Sequence, residues 1–185
     1  MEEKGSMLWE QKKEKLVNRL EELAAGDVCL AFSGGVDSSL LLYLAAKAAA
    51  DQGSKLYALT FDTNLHPRTD MEAARRTAAE AGVPLRVIPV DELAELPQIR
   101  RNPPDRCYLC KKLLFGRALE EAGRLGAETV LEGTNADDLD QYRPGIRAVR
   151  ELGIRSPLAE AGFTKAEVRR FAGELGIGTA ERPSS

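Results

Sequence analysis

The hydrophobic positions of this chain form short apolar runs, separated by longer stretches with helical spacing. Apolar runs of this length predict buried strands, here at 28–32, 55–61, 84–90 and 128–131. Leucine- and alanine-rich stretches with a repeat of three to four residues predict helices, here at 7–25, 40–50, 68–81, 106–125 and 164–176. Strands alternating with such helices predict an α/β fold, a doubly wound and mostly parallel sheet with helices on both faces.

The alternation breaks in the second half of the chain. Between residues 92 and 105, Pro97, Pro103 and Pro104 predict an irregular loop. Thr164 and Glu167 have the spacing of a capping box at the start of the last helix. Because ligands of doubly wound sheets bind beyond the carboxyl ends of the strands, the residues that follow each strand are candidates for function.

The first strand leads into a turn rich in glycine and serine. Glycine lets the backbone turn tightly and approach a ligand, and the N–H groups of the following helix favour an anion. The turn therefore predicts a phosphate-binding loop, although an ordinary strand–turn–helix junction is the alternative. It differs from the Walker A motif, which needs a lysine directly after its last glycine. In this sequence the first lysine after Gly35 is Lys47. The loop residues are Ser33, Gly34, Gly35, Val36, Asp37, Ser38 and Ser39.

Composition restricts the classes of function. A chain of 185 residues with 43% hydrophobic and 30% charged residues predicts one domain, residues 1–185, which begins with a helical segment (1–26). A net charge of -3 argues against an extended nucleic-acid surface. The sequence shows neither an apolar run of membrane-spanning length nor a signal peptide. Three cysteines are an odd number for a disulfide scaffold, so we expect a cytoplasmic protein.

Two of the cysteines, Cys107 and Cys110, lie near the start of the predicted helix 106–125. If Asp105 caps this helix, Cys107 lies in the first turn, where the helix dipole stabilises a thiolate. Arg106, with the lysines that follow the pair, would lower the thiol pKa further. A Cys-x-x-Cys spacing suits a metal, an iron–sulfur cluster or a redox pair, and two structural thiols are the alternative.

Ser-Gly-Gly-Val-Asp-Ser-Ser between a strand and a helix closely resembles the loop of the PP-loop ATP pyrophosphatase superfamily. Together with Cys-Tyr-Leu-Cys-Lys-Lys-Leu-Leu-Phe (107–115), Gly-Thr-Asn-Ala-Asp-Asp (133–138) and Asp-Gln-Tyr-Arg-Pro-Gly-Ile-Arg-Ala (140–148), it resembles the LarE family. The resemblance implies an adenine nucleotide alpha hydrolase-like fold. It also implies adenylation of pyridinium-3,5-biscarboxylic acid mononucleotide with release of pyrophosphate, followed by sulfur transfer in the synthesis of the nickel-pincer cofactor.

The resemblance extends to the source of sulfur and to the partners. In one branch the sulfur comes from a protein cysteine, and in another three cysteines hold a [4Fe-4S] cluster. Cys107 and Cys110 match the first two of the three, and a third is expected just after Ser185. Family members also carry a smaller C-terminal domain, and we expect the present sequence to correspond to the ATP-binding domain alone. Expected partners are ATP, Mg²⁺, a small carboxylate nucleotide and further copies of the chain.

Site roles follow from the resemblance and from side-chain chemistry. Asp37, with Asp137 or Asp138, would bind Mg²⁺, which prefers oxygen ligands. Guanidinium groups bind phosphates and carboxylates in a bidentate manner, which favours arginines for the substrate. Turn-forming aspartates and solvated arginines are the alternatives. The remaining assignments are Leu59, Thr60, Phe61 and Gly133 for the nucleotide, Arg106, Asn135, Arg143 and Arg147 for the substrate, and Cys107, Cys110 and Asp37 for catalysis.

The serine–glycine loop is also compatible with other functions. Ammonia as the nucleophile would make an amidotransferase-like synthetase, and tRNA as the acceptor would make a thiolase. A non-catalytic ATP-binding or iron–sulfur module is a third possibility. The cysteine pair argues against ammonia, and the acidic net charge argues against tRNA.

Overall fold

The computed structural model describes residues 2–65, 68–141 and 143–178. The strands are β1 (Val28–Ala31), β2 (Leu56–Thr63), β3 (Leu85–Val90) and β4 (Thr129–Leu131). The longer helices are α1 (Glu2–Leu23), α2 (Val36–Gln52), α3 (Arg68–Glu80), α5 (Arg106–Leu125), α7 (Pro144–Glu151) and α9 (Lys165–Glu174). The single-turn helices are α4 (Glu92–Glu95), α6 (Ala136–Leu139) and α8 (Pro157–Glu160), and a 3₁₀ helix spans Pro97–Arg101.

The four strands form one parallel sheet in the order β3-β2-β1-β4. β1 lies inside the sheet, where Val28 pairs with Leu56 of β2 on one side and with Thr129 of β4 on the other. The predicted doubly wound α/β fold is therefore confirmed. Because all the strands point the same way, the residues after β1, β2 and β4 meet at one edge of the sheet.

Helices cover both faces of the sheet. Val28 and Leu30 face one core with α1, α2 and α9, whereas Cys29 faces a second core with α5 and α7. Successive residues of a strand point to opposite faces, which explains why β1 is apolar throughout. None of the helices in the described ranges is long and apolar enough to cross a membrane.

An aromatic cluster attaches α1 to α9. The ring of Phe163, which is fully buried, lies 5.7 Å from that of Trp9 and 6.1 Å from that of Phe171. The predicted capping box is present, since Thr164 and Glu167 exchange side-chain-to-backbone hydrogen bonds. The cluster and the cap together fix the start of α9, which lies at the edge of the cavity described below.

Two local predictions were wrong. Residues 92–105 are not an irregular loop throughout, because the Asp91 carboxylate caps α4 through the Ala94 N–H and Pro97 begins the 3₁₀ helix. Strand β2 also continues past Phe61 to Thr63, because it pairs with β3 as far as Val90. The short helices α6 and α8 were not predicted.

Candidate active site

A cavity of about 610 Å³ lies at the carboxyl edge of the sheet. Its volume is within the range of small-molecule sites, roughly 300–1,000 Å³. The end of β2 and the segments that follow β1 and β4 line it, together with α5, α7 and the start of α9. The residues that line the cavity include Ser33, Gly35, Asp37, Ser38, Thr60, Phe61, Lys111, Leu114, Phe115, Glu132, Gly133, Asn135, Asp137, Asp138, Arg143, Ile146 and Lys165.

The loop between β1 and α2 is held by its own hydroxyl groups. The Ser33 and Ser38 hydroxyls lie 3.2 Å apart, and the Gly35 N–H donates to Ser33 Oγ at 3.4 Å. Gly35 is the N-cap of α2, and its position provides no side-chain hydrogen bond to the first turn. The first N–H groups of a 17-residue helix are therefore free of a side-chain cap where the loop meets the cavity.

Two glycines allow the loop to pack closely. Gly34 has a φ of +83°, and a Cβ there would lie 3.4 Å from the Ala74 backbone nitrogen. Gly133, in the segment after β4, lies against the first turn of α2, where an added Cβ would be 3.3 Å from the Ser38 nitrogen. At Gly34 the positive φ disfavours any other residue, whereas a side chain at Gly133 would require the first turn of α2 to shift by a few tenths of an ångström.

Asp37 is held from two sides. Its carboxylate forms an ion pair with the Lys165 ammonium and accepts a hydrogen bond from Asn135 Nδ2 at 3.2 Å. The sequence reasoning missed Lys165, whose only local signal is its place after the capping Thr164. The Lys165 ammonium and the Asp37 carboxylate therefore form an ion pair beside the serine–glycine loop.

The segment that follows β4 begins with a buried carboxylate, that of Glu132. Glu132 is 5% exposed and accepts hydrogen bonds from the backbone N–H and hydroxyl of Thr134 and from the hydroxyl of Ser156. The sequence reasoning also missed this residue. Its contacts fix the path of the chain from β4 to α6 and hence the position of Asn135.

The acidic residues of α6 mainly organise the backbone. Asp138 forms a capping box with Asn135 and an ion pair with Arg143 at 2.9 Å. Asp137 accepts a hydrogen bond from the Lys165 backbone N–H at 2.8 Å. Across the described residues, no three His, Cys, Asp or Glu side chains form a group that could hold a metal ion.

Several predicted site residues lie elsewhere. Leu59 is fully buried in the core beneath α5. The side chain of Val36 is fully buried in the opposite core, although its backbone N–H remains at the start of α2. Ser39 is also fully buried, and its hydroxyl has no hydrogen-bond partner among the described residues. Arg147 stacks on Tyr108 on the outside of α5 and pairs with Glu151. Arg106, which donates to Asn102, is likewise not part of the cavity lining.

The cysteine pair lies at the start of α5, as predicted, but in two different environments. Cys107 is exposed, whereas Cys110 is half-buried. Burial, and then the nearby Glu92 carboxylate, raise the pKa of the Cys110 thiol. Asp105 occupies the N-cap position, but its side chain makes no capping hydrogen bond.

Neither cysteine lines the cavity, but each lies one helical turn before a residue of α5 that does. Residues three and four apart share a helix face, so Cys107 lies one turn before Lys111, and Cys110 one turn before Leu114. Lys111 and Leu114 both line the cavity. The cysteine pair therefore lies on the turn of α5 that precedes the cavity wall.

The matching family fits this arrangement. Residues 8–103, which include β1, the serine–glycine loop and β2, match the PP-loop domain. The chain belongs to the PP-loop domain family. The serine–glycine loop between β1 and α2 lies within the matched residues and is the PP-loop of this chain.

The curated relatives are longer proteins. The chain is 40% identical to an uncharacterized protein of Synechocystis sp. over 84% of its own length and 56% of the relative's. It is 36% identical to the pyridinium-3,5-bisthiocarboxylic acid mononucleotide synthase of Lactiplantibacillus plantarum over 90% of its own length and 58% of the relative's. The PP-loop chain thus spans less than two thirds of the length of either relative.

Solved structures show the same fold. The NMN synthetase of Francisella tularensis superposes with a TM-score of 0.70, covering 96% of this chain and 75% of that one. The identity is 18%, so the similarity concerns the fold.

Proposed function

We propose that this PP-loop domain binds Mg·ATP in the cavity and transfers AMP to a carboxylate, releasing pyrophosphate. The observation that carries the proposal is the start of α2, which lacks a side-chain cap and meets the cavity at the serine–glycine loop. A helix N-terminus with free N–H groups is an anion site, and the cavity has room for a nucleotide. Thr60 and Phe61, at the end of β2, would contact the adenine, and Lys165 would contact the phosphates.

Magnesium fits this site through one carboxylate. Mg²⁺ in nucleotide sites keeps several waters and uses one or two carboxylates together with the substrate phosphates, so the lack of a three-residue group in the described part of the chain is compatible with it. Asp37 is the candidate because it lines the cavity beside the loop. Asp137 and Asp138 are weaker candidates, since their carboxylates hold backbone N–H groups at the starts of α9 and α6, whereas the partners of Asp37 are side chains that can move. When bound, the ion would neutralise charge on the departing pyrophosphate.

The second half of the proposal is sulfur transfer. Adenylation makes the carbonyl carbon electrophilic, with AMP as the leaving group. A sulfur nucleophile would form the C–S bond while the C–O bond to AMP breaks. Cys107 is the candidate nucleophile, because it is exposed at the start of α5. Its thiolate would form a thioester as AMP leaves. Loss of its Cα proton with cleavage of its Cβ–Sγ bond would then release the thiocarboxylate and leave dehydroalanine.

An iron–sulfur cluster does not fit the described residues alone. Cys107 and Cys110 would supply two thiolates, whereas a [4Fe-4S] cluster commonly uses four cysteine ligands. The third cysteine of the chain, Cys29, is fully buried in β1, in the core beneath α5. Burial raises its pKa to about 12, so it is neither accessible nor readily ionised.

We further propose pyridinium-3,5-biscarboxylic acid mononucleotide as the acceptor, by similarity to the Lactiplantibacillus enzyme. Arg143 at the cavity wall suits such an anion, although it first has to leave Asp138. Arg147, which points away from the cavity, is a weaker candidate than the sequence suggested. A cytoplasmic location and self-association remain predictions.

The test is an assay of pyrophosphate and AMP formation by the purified chain with ATP, Mg²⁺ and each acceptor in turn. We expect pyrophosphate release that requires the dicarboxylate mononucleotide and that falls in Asp37→Ala. Release with ammonia and a carboxylate, or with tRNA, would instead support the synthetase or thiolase alternative. ATP binding without turnover on any acceptor would point to a nucleotide-binding module. Full Mg·ATP affinity in Asp37→Ala would contradict the magnesium assignment.

A further inference from the structure

The cations that line the cavity differ in how they are paired. Lys165 pairs with Asp37, and Arg143 pairs with Asp138. Lys111 lines the same cavity from α5, yet no carboxylate of the described residues lies within 4.0 Å of its ammonium. A partly buried cation that faces a cavity without a counter-charge is suited to an anionic ligand.

The side chain of Lys111 is held by its surroundings. Its ammonium lies 6.0 Å from the centre of the Phe115 ring, one turn further along α5. Its stem passes directly over Gly145 of α7, where an added Cβ would lie 2.5 Å from Cδ and 3.1 Å from Cε. A lysine loses considerable side-chain entropy when it is fixed in this way, so its orientation is a specific feature of the α5–α7 contact.

The surroundings of Lys111 are those of a second subsite. Leu114, Phe115 and Ile146 form an apolar wall beside it, on the side of the sheet opposite α2 and α9. The loop that would hold the ATP phosphates leads into α2. An acceptor with an aromatic ring and an anionic group could therefore contact the α5–α7 wall while ATP occupies the loop.

We propose that Lys111 binds a carboxylate or phosphate of the acceptor and that Gly145 is the position that directs it there. This inference rests on the proposed adenylation function, whose acceptor it describes further. Gly145 contributes by having no side chain, because the lysine stem occupies the space that a Cβ would fill. Lys111 selects anionic acceptors, and Gly145 determines where its charge lies.

The first experiment measures binding by calorimetry with Lys111→Met and a matched control, Lys112→Met. Lys112 is the neighbouring lysine, but its ammonium bonds Tyr108 and Glu151 outside the cavity. Lys111→Met should raise the Kd for the dicarboxylate mononucleotide by about 10- to 150-fold, the range for a hydrogen bond to a charged group. The Kd for ATP should change less than about twofold, and Lys112→Met should leave both unchanged. An unaltered acceptor Kd in Lys111→Met would refute the assignment.

Two simpler probes separate the possible anions and keep the test independent of the acceptor's identity. Pyridine-3,5-dicarboxylate carries the carboxylates, and ribose 5-phosphate carries the phosphate. Lys111→Met should weaken binding of the probe that carries the recognised group and leave the other unchanged. If the wild type binds ATP but not the mononucleotide, the proposed acceptor is wrong, and these probes still test Lys111. Equal binding of both by the wild type and Lys111→Met overturns the inference.

Gly145→Ala tests the directing role. Gly145 lies in the first turn of α7 and is not among the described glycines with positive φ, so alanine fits the backbone and has the higher helix propensity. We expect thermal stability at least equal to wild type, together with an acceptor affinity weakened by about 3- to 30-fold. In a Lys111→Met background the same change should have no further effect, because the two residues act through one contact. An equal loss in both backgrounds would refute the directing role.

Discussion

Replacing Lys165 by methionine removes the ammonium beside the PP-loop while keeping a side chain of similar length. In the proposed complex this ammonium contacts the ATP phosphates. A hydrogen bond to a charged group contributes about 1.5–3 kcal/mol, which corresponds to a roughly 10- to 150-fold increase in the Kd for Mg·ATP. Lys165→Arg keeps the charge and should recover part of the affinity.

The same change has a calculable effect on stability. Exposed ion pairs contribute about 0–1 kcal/mol, whereas breaking a buried pair costs about 3–5 kcal/mol. The side chains of Lys165 and Asp37 are 24% and 19% exposed, and Asn135 still donates to Asp37 in the variant. We therefore expect the free energy of unfolding to fall by about 1–2 kcal/mol, between those limits.

Lys12→Met is the matched control. Lys12 pairs with Glu167 of the same helix α9 at similar exposure, 27% and 29%, but does not line the cavity. The assay is equilibrium titration with a fluorescent ATP analogue and Mg²⁺, alongside urea unfolding. Lys12→Met should lose stability without losing affinity. Wild-type affinity in Lys165→Met, or equal losses of affinity in the two variants, would show that Lys165 does not bind the phosphates.

Three further predictions concern the core, the thiols and acid stability. Phe163→Ala should lower the free energy of unfolding by about 3–5 kcal/mol in urea, and a loss below about 1 kcal/mol would contradict the role of the aromatic cluster. Iodoacetamide should alkylate the exposed Cys107 before Cys110, as peptide mass spectrometry can show, and Glu92→Gln should speed the reaction of Cys110 because a carboxylate that raises its pKa is lost. Hydrogen bonds from Tyr108, and then from Arg147 and Lys112, lower the pKa of Glu151 from 4.5 to about 2. The carboxylate therefore stabilises the fold above pH 4.5, and its contribution is lost as the pH falls towards 2. The stability difference between wild type and Glu151→Gln should shrink over that window, and a difference independent of pH would refute the pairing.

Features with a local cause were predictable from the sequence. Helix α5 has the predicted bounds, Arg106–Leu125, because a proline-rich segment precedes it and Gly126 follows it in the left-handed conformation. The PP-loop was predictable because its chemistry lies in seven consecutive residues. The parallel sheet followed from the alternation of short apolar runs with helices.

Features that depend on distant contacts were not predictable. Lys165 pairs with a residue 128 positions earlier in the chain, and no local pattern distinguishes it from other lysines. Glu132 has the sequence context of a turn residue, and its buried position depends on a hydrogen bond from Ser156, 24 positions later. Arg147 was assigned to the substrate from its type alone, and its partner Tyr108 became evident only once α7 was packed on α5.

The division of the helices between the two faces of the sheet has a consequence for how such a protein can diverge. The loop proposed to activate the nucleotide belongs to the α1, α2 and α9 side, whereas the wall proposed to receive the acceptor belongs to α5 and α7. Substitutions on the second face meet a separate core, so they can accumulate there without altering the geometry of the first. The face formed by α1, α2 and α9 can thus be retained while residues of α5 and α7 are substituted one at a time. New acceptors can then be acquired by changes confined to those two helices.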